Sequence, residues 1–69
     1  MTNKEKVAAI HKAMAEGKSV VLVTYSRAIK LSKPEHLKVC ESGNVYIPRG
    51  KHWDFIFNGQ VDQLYSQIS

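Results

Sequence analysis

The side chains with the clearest chemical potential in this chain are cationic and aromatic, and the two kinds are interleaved between residues 25 and 53. Lysine and arginine attract phosphate groups and gain affinity by releasing the counterions around them. Exposed aromatic rings hold nucleobases by stacking. The segment from Pro48 to Trp53 is the densest case, because two cations and a histidine precede an indole. The predicted contact residues for a nucleic acid or a nucleotide-like anion are Arg27, Lys30, Lys38, Tyr46, Arg49, Lys51 and His52.

The position of the aromatic rings decides whether they can take part in binding. Every second residue from Trp53 to Phe57 is aromatic, so the rings of Trp53, Phe55 and Phe57 share one face of the predicted strand. Three large rings on one face favour a core position. Tyr46 lies between two aliphatic residues of the preceding strand, so we expect its ring to face solvent. For Tyr25 and Trp53 the sequence leaves both a core and a surface position open.

Residue types used in catalysis occur, but not in a pattern that indicates an active site. The residue types of a catalytic triad are present in Ser26, Asp54 and either His36 or His52. These residue types are found in nearly any chain. No glycine pattern of a nucleophile elbow or a phosphate-binding loop is present. Cys40 and the histidines do not have the spacing of a zinc motif. We therefore predict a protein that is not an enzyme and that uses neither a metal nor another cofactor.

Length and charge restrict the class further. The 69 residues form one domain, residues 1–69, and the net charge is +4. A basic surplus fits an acidic partner such as nucleic acid, although a solvated surface that keeps a small protein soluble has the same composition. A single cysteine cannot form an internal disulfide, and no segment has the pattern of a secretion signal or a membrane span. We expect a cytoplasmic protein without a membrane partner.

Hydrophobic periodicity predicts a helix at each end of the chain. Near the N-terminus the apolar positions follow i, i+3, i+4, i+7 spacing, Thr2 and Glu5 have the spacing of a capping box, and Gly17 is placed to end the helix. Near the C-terminus the same spacing recurs. The residues with this spacing are Val61, Leu64, Tyr65 and Ile68.

Between the helices, short segments of alternating or continuous apolar residues predict strands at 19–25, 28–31, 36–41, 45–47 and 52–57. Pro34 interrupts this series after the second strand. The predicted fold class is α+β: an N-terminal helix packed on a small, strongly bent antiparallel sheet of four to five strands, with a short C-terminal helix. This order of elements is that of an Sm-like barrel.

Within that fold class, the chain resembles the WYL domain, a ligand-sensing module of bacteria and their phages. The resemblance begins with an alanine-containing helix that leads into a strand ending in tyrosine, and with a proline that precedes the middle strand. It continues with a Gly-x-x-Tyr-aliphatic strand and an aromatic strand before the last apolar segment. The residues that carry it are Ala13, Val21–Tyr25, Pro34, Leu37, Gly43–Ile47, Phe55, Phe57, Val61 and Leu64.

The chain departs from the family pattern at positions that matter for binding. Val45 stands where the family has its tryptophan, and Ile47 stands where it has its leucine. The arginines that the family carries near its last aromatic strand, as part of an anion pocket, are replaced by Trp53, Asp54 and Gln60. The resemblance implies the fold and a regulatory role in a bacterium or phage. Because the pocket arginines are missing, it does not extend to the family's ligand-binding site.

A protein partner is the alternative to nucleic acid. A small domain without a catalytic constellation is typical of phage or plasmid proteins that bind and redirect a host protein. In this interpretation the apolar residues Leu64, Tyr65 and Ile68 form an exposed patch that docks on the host protein or joins copies in a homo-oligomer. The alternative for the same residues is that they cap the open end of the predicted barrel.

Overall fold

The N-terminal helix, α1, spans Asn3–Ala15 in the computed structural model, which describes residues 1–69. The predicted capping box closes its first turn: the backbone N–H of Glu5 donates to the Thr2 hydroxyl at 3.2 Å, and the backbone N–H of Thr2 donates to the Glu5 carboxylate at 2.8 Å. Gly17 follows the helix with φ 95°, in the left-handed region. The N–H groups of Gly17 and the next residue donate to carbonyls of the last turn, both at 3.0 Å, which is a Schellman motif. The predicted helix is confirmed.

A hairpin of two strands follows α1. Strand β1, Val20–Val23, pairs in antiparallel fashion with β2, Ala28–Leu31. The connection is tight, because the backbone N–H and the hydroxyl of Thr24 both donate to the carbonyl of Arg27, at 2.8 and 2.9 Å. Tyr25 lies at the tip of this hairpin and is fully exposed.

A short 3₁₀ turn at Pro34–His36 leads from the hairpin to a second sheet. Its strands are β3, Lys38–Val39, β4, Val45–Arg49, and β5, His52–Phe55, arranged antiparallel in the order β3-β4-β5. The two-residue turn between β4 and β5 begins with Gly50 at φ 60°, and positive φ at the first position alone is the pattern of a type II′ hairpin.

The second helix, α2, spans Asn58–Ser66 and packs with α1 over the inner faces of both sheets. All residues buried in the molecule are apolar, and no buried side-chain polar atom lacks a partner. The core therefore depends on apolar burial, the main stabilising contribution in a small domain. Its members are Val7, Ile10, Met14, Val20, Leu22, Leu31, Leu37, Val45, Ile47, Val61 and Leu64.

The prediction that the apolar residues at the C-terminus form an exposed patch is wrong for Leu64. Leu64 is 0% exposed, and Tyr65 and Ile68 are half-buried and pack against the core. The helical spacing that groups these residues places Leu64 and Tyr65 on the face of α2 that is turned toward the core, and Ile68 packs against the same core two residues after the helix ends. They help to close the core instead of forming a free docking surface.

The predicted α+β class with a helix at each end is confirmed, but the sheet is divided. The strands form one sheet of two and one of three, and they do not close into a barrel, so the Sm-like barrel is not confirmed. The segment around Pro34 separates β2 from β3, because proline lacks a backbone N–H and its ring prevents continuous pairing. No helix in the structure has the length and apolar character needed to span a bilayer.

The two helices are also joined by polar contacts near their N-terminal ends. The side-chain amide of Asn3 donates to the side chain of Asn58 at 2.9 Å. Lys6 forms an ion pair with Asp62. These contacts link residues more than fifty positions apart in the chain, so they fix how α2 returns to α1.

A single side chain covers part of the outer edge of β1. The Gln67 amide accepts the backbone N–H of Val21 through Oε1 and donates to the carbonyl of the same residue through Nε2, both at 2.8 Å. A neighbouring strand would satisfy these two backbone groups in the same way. Unpaired strand edges are templates for pairing with another chain, so Gln67 protects β1 from such pairing.

We expect Gln67→Ala to lower the free energy of unfolding by about 1 kcal/mol, because two hydrogen bonds are lost. The variant should also form dimers at high concentration through the freed edge of β1. Urea unfolding and size-exclusion chromatography measure the two effects. Gln63→Ala is the matched control, since Gln63 is exposed one turn earlier in α2 and its side chain forms no hydrogen bond with β1. Equal behaviour of the two variants would contradict the assigned role.

The capping box gives a pH dependence that can be tested with Glu5→Gln. Hydrogen bonds from the backbone N–H and the hydroxyl of Thr2 lower the pKa of Glu5 below its ordinary value of 4.5. A pKa that is lower in the folded state stabilises the fold above the unfolded-state pKa, and this contribution is lost as pH falls through the folded-state pKa. The unmodified protein should therefore lose more stability than Glu5→Gln between about pH 6 and about pH 3.

Urea unfolding at a series of pH values measures this difference. Glu41→Gln is the control, because Glu41 is exposed and takes part in neither ion pair of the protein. Parallel stability profiles for Glu5→Gln and the unmodified protein would show that the Glu5 carboxylate does not contribute.

Candidate functional site

Three aromatic side chains lie together on the outward face of the three-stranded sheet. Tyr46 of β4 is paired with Phe55 of β5, and Trp53 is paired with the residue two positions after Tyr46. Paired residues of antiparallel strands share a face, so the register brings the rings together. Val45 and Ile47, the neighbours of Tyr46, point the opposite way into the core. We call Tyr46, Trp53 and Phe55 the aromatic face.

The rings of the aromatic face contact one another in a defined arrangement. Tyr46 and Trp53 are stacked, with ring centroids 4.4 Å apart and an interplanar angle of 17°. Phe55 is tilted against Tyr46, with centroids 5.5 Å apart, and meets Trp53 edge-on at 6.3 Å. Tyr46 is only 8% exposed, whereas Trp53 and Phe55 are 57% and 55% exposed. The tyrosine is thus the support on which two accessible rings rest.

The burial of these rings differs from the sequence-based expectation. The favoured core position of Trp53 is wrong, because all four residues of β5 are exposed and the helices cover the other side of the sheet. The expectation that the ring of Tyr46 is exposed to solvent is also wrong, because Trp53 and Phe55 cover it. Tyr25, whose position the sequence left open, is at the surface.

A second feature lies where the two sheets separate. A cleft of ≈ 400 Å³ runs between β2 and β4, and Arg27, Lys30 and Arg49 line it together with His36. Ile47 lies among the apolar residues of its wall. Three of the predicted phosphate contacts are therefore brought together at one place. We call Arg27, Lys30, His36 and Arg49 the basic cleft.

The other predicted contact residues lie elsewhere. Lys38 is exposed and is paired with Tyr46, so it belongs to the side of the sheet that carries the aromatic face. Lys51 lies in the exposed turn after β4. His52 is exposed and paired with Arg49, on the side opposite the aromatic face. The single basic and aromatic surface predicted from the sequence is divided between two sides of the β4–β5 hairpin.

One cation of the basic cleft has an acidic neighbour. Arg49 forms an ion pair with Asp54 at 3.1 Å, and both side chains are about half exposed. An ion pair in this environment contributes at most about 1 kcal/mol. Asp54 reduces the charge that Arg49 offers to a ligand, while Arg27 and Lys30 take part in no ion pair.

Three residues of these sites were absent from the predicted contact set, namely Trp53, Phe55 and His36. Phe55 was grouped with Trp53 by alternation, but the sequence does not show that their common face is left uncovered. His36 follows Pro34, and the 3₁₀ turn places it in the wall of the basic cleft. Its Nδ1 accepts the backbone N–H groups of Ser32 and Lys33, at 3.2 and 3.4 Å.

No cluster of three or more histidine, cysteine or acidic side chains is arranged to hold a metal ion. Cys40 lies outside both surfaces, after β3. Its sulfur lies 3.0 Å from the Ser42 hydroxyl, which also accepts a hydrogen bond from the Asn44 side chain at 3.2 Å. The Ser42 hydroxyl is thus free to donate to sulfur, and this hydrogen bond is the main reason that the pKa of the Cys40 thiol is lowered.

Comparison of the chain with protein-family models, curated proteins and solved structures finds no match. The resemblance to the WYL domain stays a prediction. A function can therefore be inferred only from the geometry and charge of the aromatic face and the basic cleft.

The environment of Cys40 leads to a prediction about its reactivity. Ser42→Ala removes the hydroxyl donor, so the thiol pKa should rise and alkylation by iodoacetamide at about pH 7 should become slower. Mass spectrometry follows the reaction specifically, because Cys40 is the only cysteine. Ser26→Ala, at the tip of the β1–β2 hairpin, is the control. An unchanged alkylation rate in Ser42→Ala would show that the hydroxyl does not stabilise the thiolate.

Proposed function

We propose that the protein is a non-enzymatic binding protein that holds single-stranded nucleic acid on its aromatic face. The observation that supports this proposal is the exposure of Trp53 and Phe55 on an outward sheet surface. A small domain gains stability by burying its large rings, yet Trp53 and Phe55 remain more than half exposed side by side on one sheet face. Exposed rings on a sheet are platforms for bases, and each stacked base contributes about 1–3 kcal/mol.

The arrangement of the rings favours stacking over other forms of recognition. One side of the Trp53 indole rests on Tyr46, so its position is fixed before a ligand arrives. Its exposed side can receive a base without rearrangement of the sheet. Bases in a duplex have no free faces, whereas those of a single strand can be unstacked and received by aromatic side chains. The proposal is therefore specific for single strands.

The charge of the protein supports the same partner. Lys38 is exposed on the side of the sheet that carries the aromatic face, where it can meet the phosphate backbone. The one acidic residue of β5, Asp54, is directed to the opposite side and pairs with Arg49. The net charge of +4 adds a general attraction for polyanions.

A protein partner is the second candidate, and the same exposed rings favour it. Trp and Phe are typical of the central residues of protein interfaces. With Leu64 buried, the aromatic face replaces the C-terminal patch as the apolar surface available to a host protein or to a second copy. Salt separates the candidates, because binding to phosphates weakens steeply as salt is added and apolar docking does not.

We expect the double variant Trp53→Ala/Phe55→Ala to bind a fluorescein-labelled single-stranded oligonucleotide at least about tenfold more weakly than the unmodified protein. Fluorescence anisotropy with DNA and RNA oligomers measures the affinity, at about 50 and about 200 mM salt. Binding should also quench the emission of Trp53, which is the only tryptophan. Tyr25→Ala is the control, because it removes an exposed ring that lies outside the aromatic face.

Absence of binding to any single strand at the lower salt concentration would refute the proposal. Equal loss of affinity in Tyr25→Ala would show that the aromatic face has no special role. Self-association that the double variant abolishes, without any binding of nucleic acid, would assign the aromatic face to contacts between copies of the chain.

A further inference from the structure

The basic cleft has the size and lining of a ligand site, although base stacking on the aromatic face does not require it. Its volume of ≈ 400 Å³ falls in the range of small-molecule sites. Its wall is half apolar, and Ile29, Leu31 and Ile47 contribute to it. The cleft lies between β2 and β4, on the side of the β4–β5 hairpin opposite the aromatic face.

The charged residues that line the cleft are all basic, and the nearest acidic partner is Asp54, which pairs with Arg49 from outside the lining. Arg27, Lys30 and Arg49 line it, and no Asp or Glu is among its lining residues. Arg27 and Lys30 are exposed and make no ion pair, so they need no displacement of a carboxylate before they bind an anion. Arginine offers a planar pair of N–H donors that matches the oxygens of a phosphate group. The lining thus favours a ligand with more than one negative charge.

His36 adds a further hydrogen-bond donor to this set. Its Nδ1 accepts the backbone N–H groups of Ser32 and Lys33, which orients the ring. In the neutral ring the proton is then carried by Nε2, so the remaining hydrogen-bonding group is a donor. The 3₁₀ turn therefore contributes a positioned N–H in the wall that also holds the cations.

The geometry points to a site in the basic cleft for a phosphate monoester attached to an apolar or aromatic body, with the dimensions of a mononucleotide. The phosphate is bound by Arg27, Lys30 and Arg49, with His36 as an additional donor. The attached body rests on Ile29 and Ile47. A phosphate monoester can come from a free nucleotide or from the 5′-phosphorylated end of a strand, and both contain the same group.

Titration of the ¹⁵N-labelled protein with adenosine 5′-monophosphate, followed by amide chemical shifts, tests this site. We expect saturable shifts in Ala28–Leu31 and around Ile47 and Arg49, none at these positions with adenosine, and weaker binding of inorganic phosphate. A second titration compares an oligonucleotide with a 5′-phosphate and the same oligonucleotide with a 5′-hydroxyl. Cleft shifts with the mononucleotide identify a free ligand as a source, and shifts only with the phosphorylated strand identify the strand end.

The double variant Arg27→Gln/Lys30→Gln should weaken this binding by about tenfold or more, because two charge-assisted contacts are lost. Lys4→Gln/Lys12→Gln removes the same net charge from exposed positions of α1 and should leave the affinity nearly unchanged. An equal loss in both variants would reduce the effect to general electrostatics and overturn the site. Absence of cleft shifts with both the mononucleotide and the 5′-phosphorylated strand would overturn it as well.

The variant Trp53→Ala/Phe55→Ala distinguishes the cleft from the proposed nucleic-acid surface. It should bind adenosine 5′-monophosphate as the unmodified protein does, since the aromatic face lies on the other side of the hairpin. Loss of this binding in the aromatic variant would overturn the cleft site and leave the proposed function standing. Binding in the cleft without any binding of single strands would refute the proposed function alone.

Discussion

The structure depends on the fact that its helices cover only one side of the sheets. The two helices of this chain, of 13 and 9 residues, have to bury the apolar side of two separate sheets. They do so on one side only, where 11 apolar residues form a single cluster. Nothing comparable packs on the outward side of the three-stranded sheet, so large side chains placed there meet solvent. The aromatic face is exposed because both helices pack on the other side of the sheet.

The predictions from the sequence hold where the structural signal is local and fail where burial depends on packing between distant elements. Local signals predicted α1 well, because the capping box of Thr2 and Glu5 and the left-handed Gly17 act within a few residues. The apolar spacing of α2 correctly grouped Leu64, Tyr65 and Ile68, but it could not tell whether their common side is buried. Alternation has the same limit in strands: it placed Trp53 and Phe55 on one side without showing that no helix covers it.

The convergence of the cations depended on relations between distant strands. Arg27 and Lys30 meet Arg49 because β2 and β4 face each other across the gap between the two sheets. That gap follows from the break at Pro34, which the sequence did show, but its geometry depends on packing across the core. Lys38 and Arg49 are separated for a simpler reason, since the register pairs Lys38 with Tyr46 and Arg49 with His52. Register is a property of two strands and cannot be obtained from one.

Strand β5 shows how the core and the binding surface are divided in this molecule. None of its four residues is buried, and its rings rest on Tyr46, not on the helices. Its side chains can therefore be exchanged during evolution without creating cavities under α1 or α2. Descendants of this chain would be free to keep the interior unchanged while acquiring different ligands through His52–Phe55 alone.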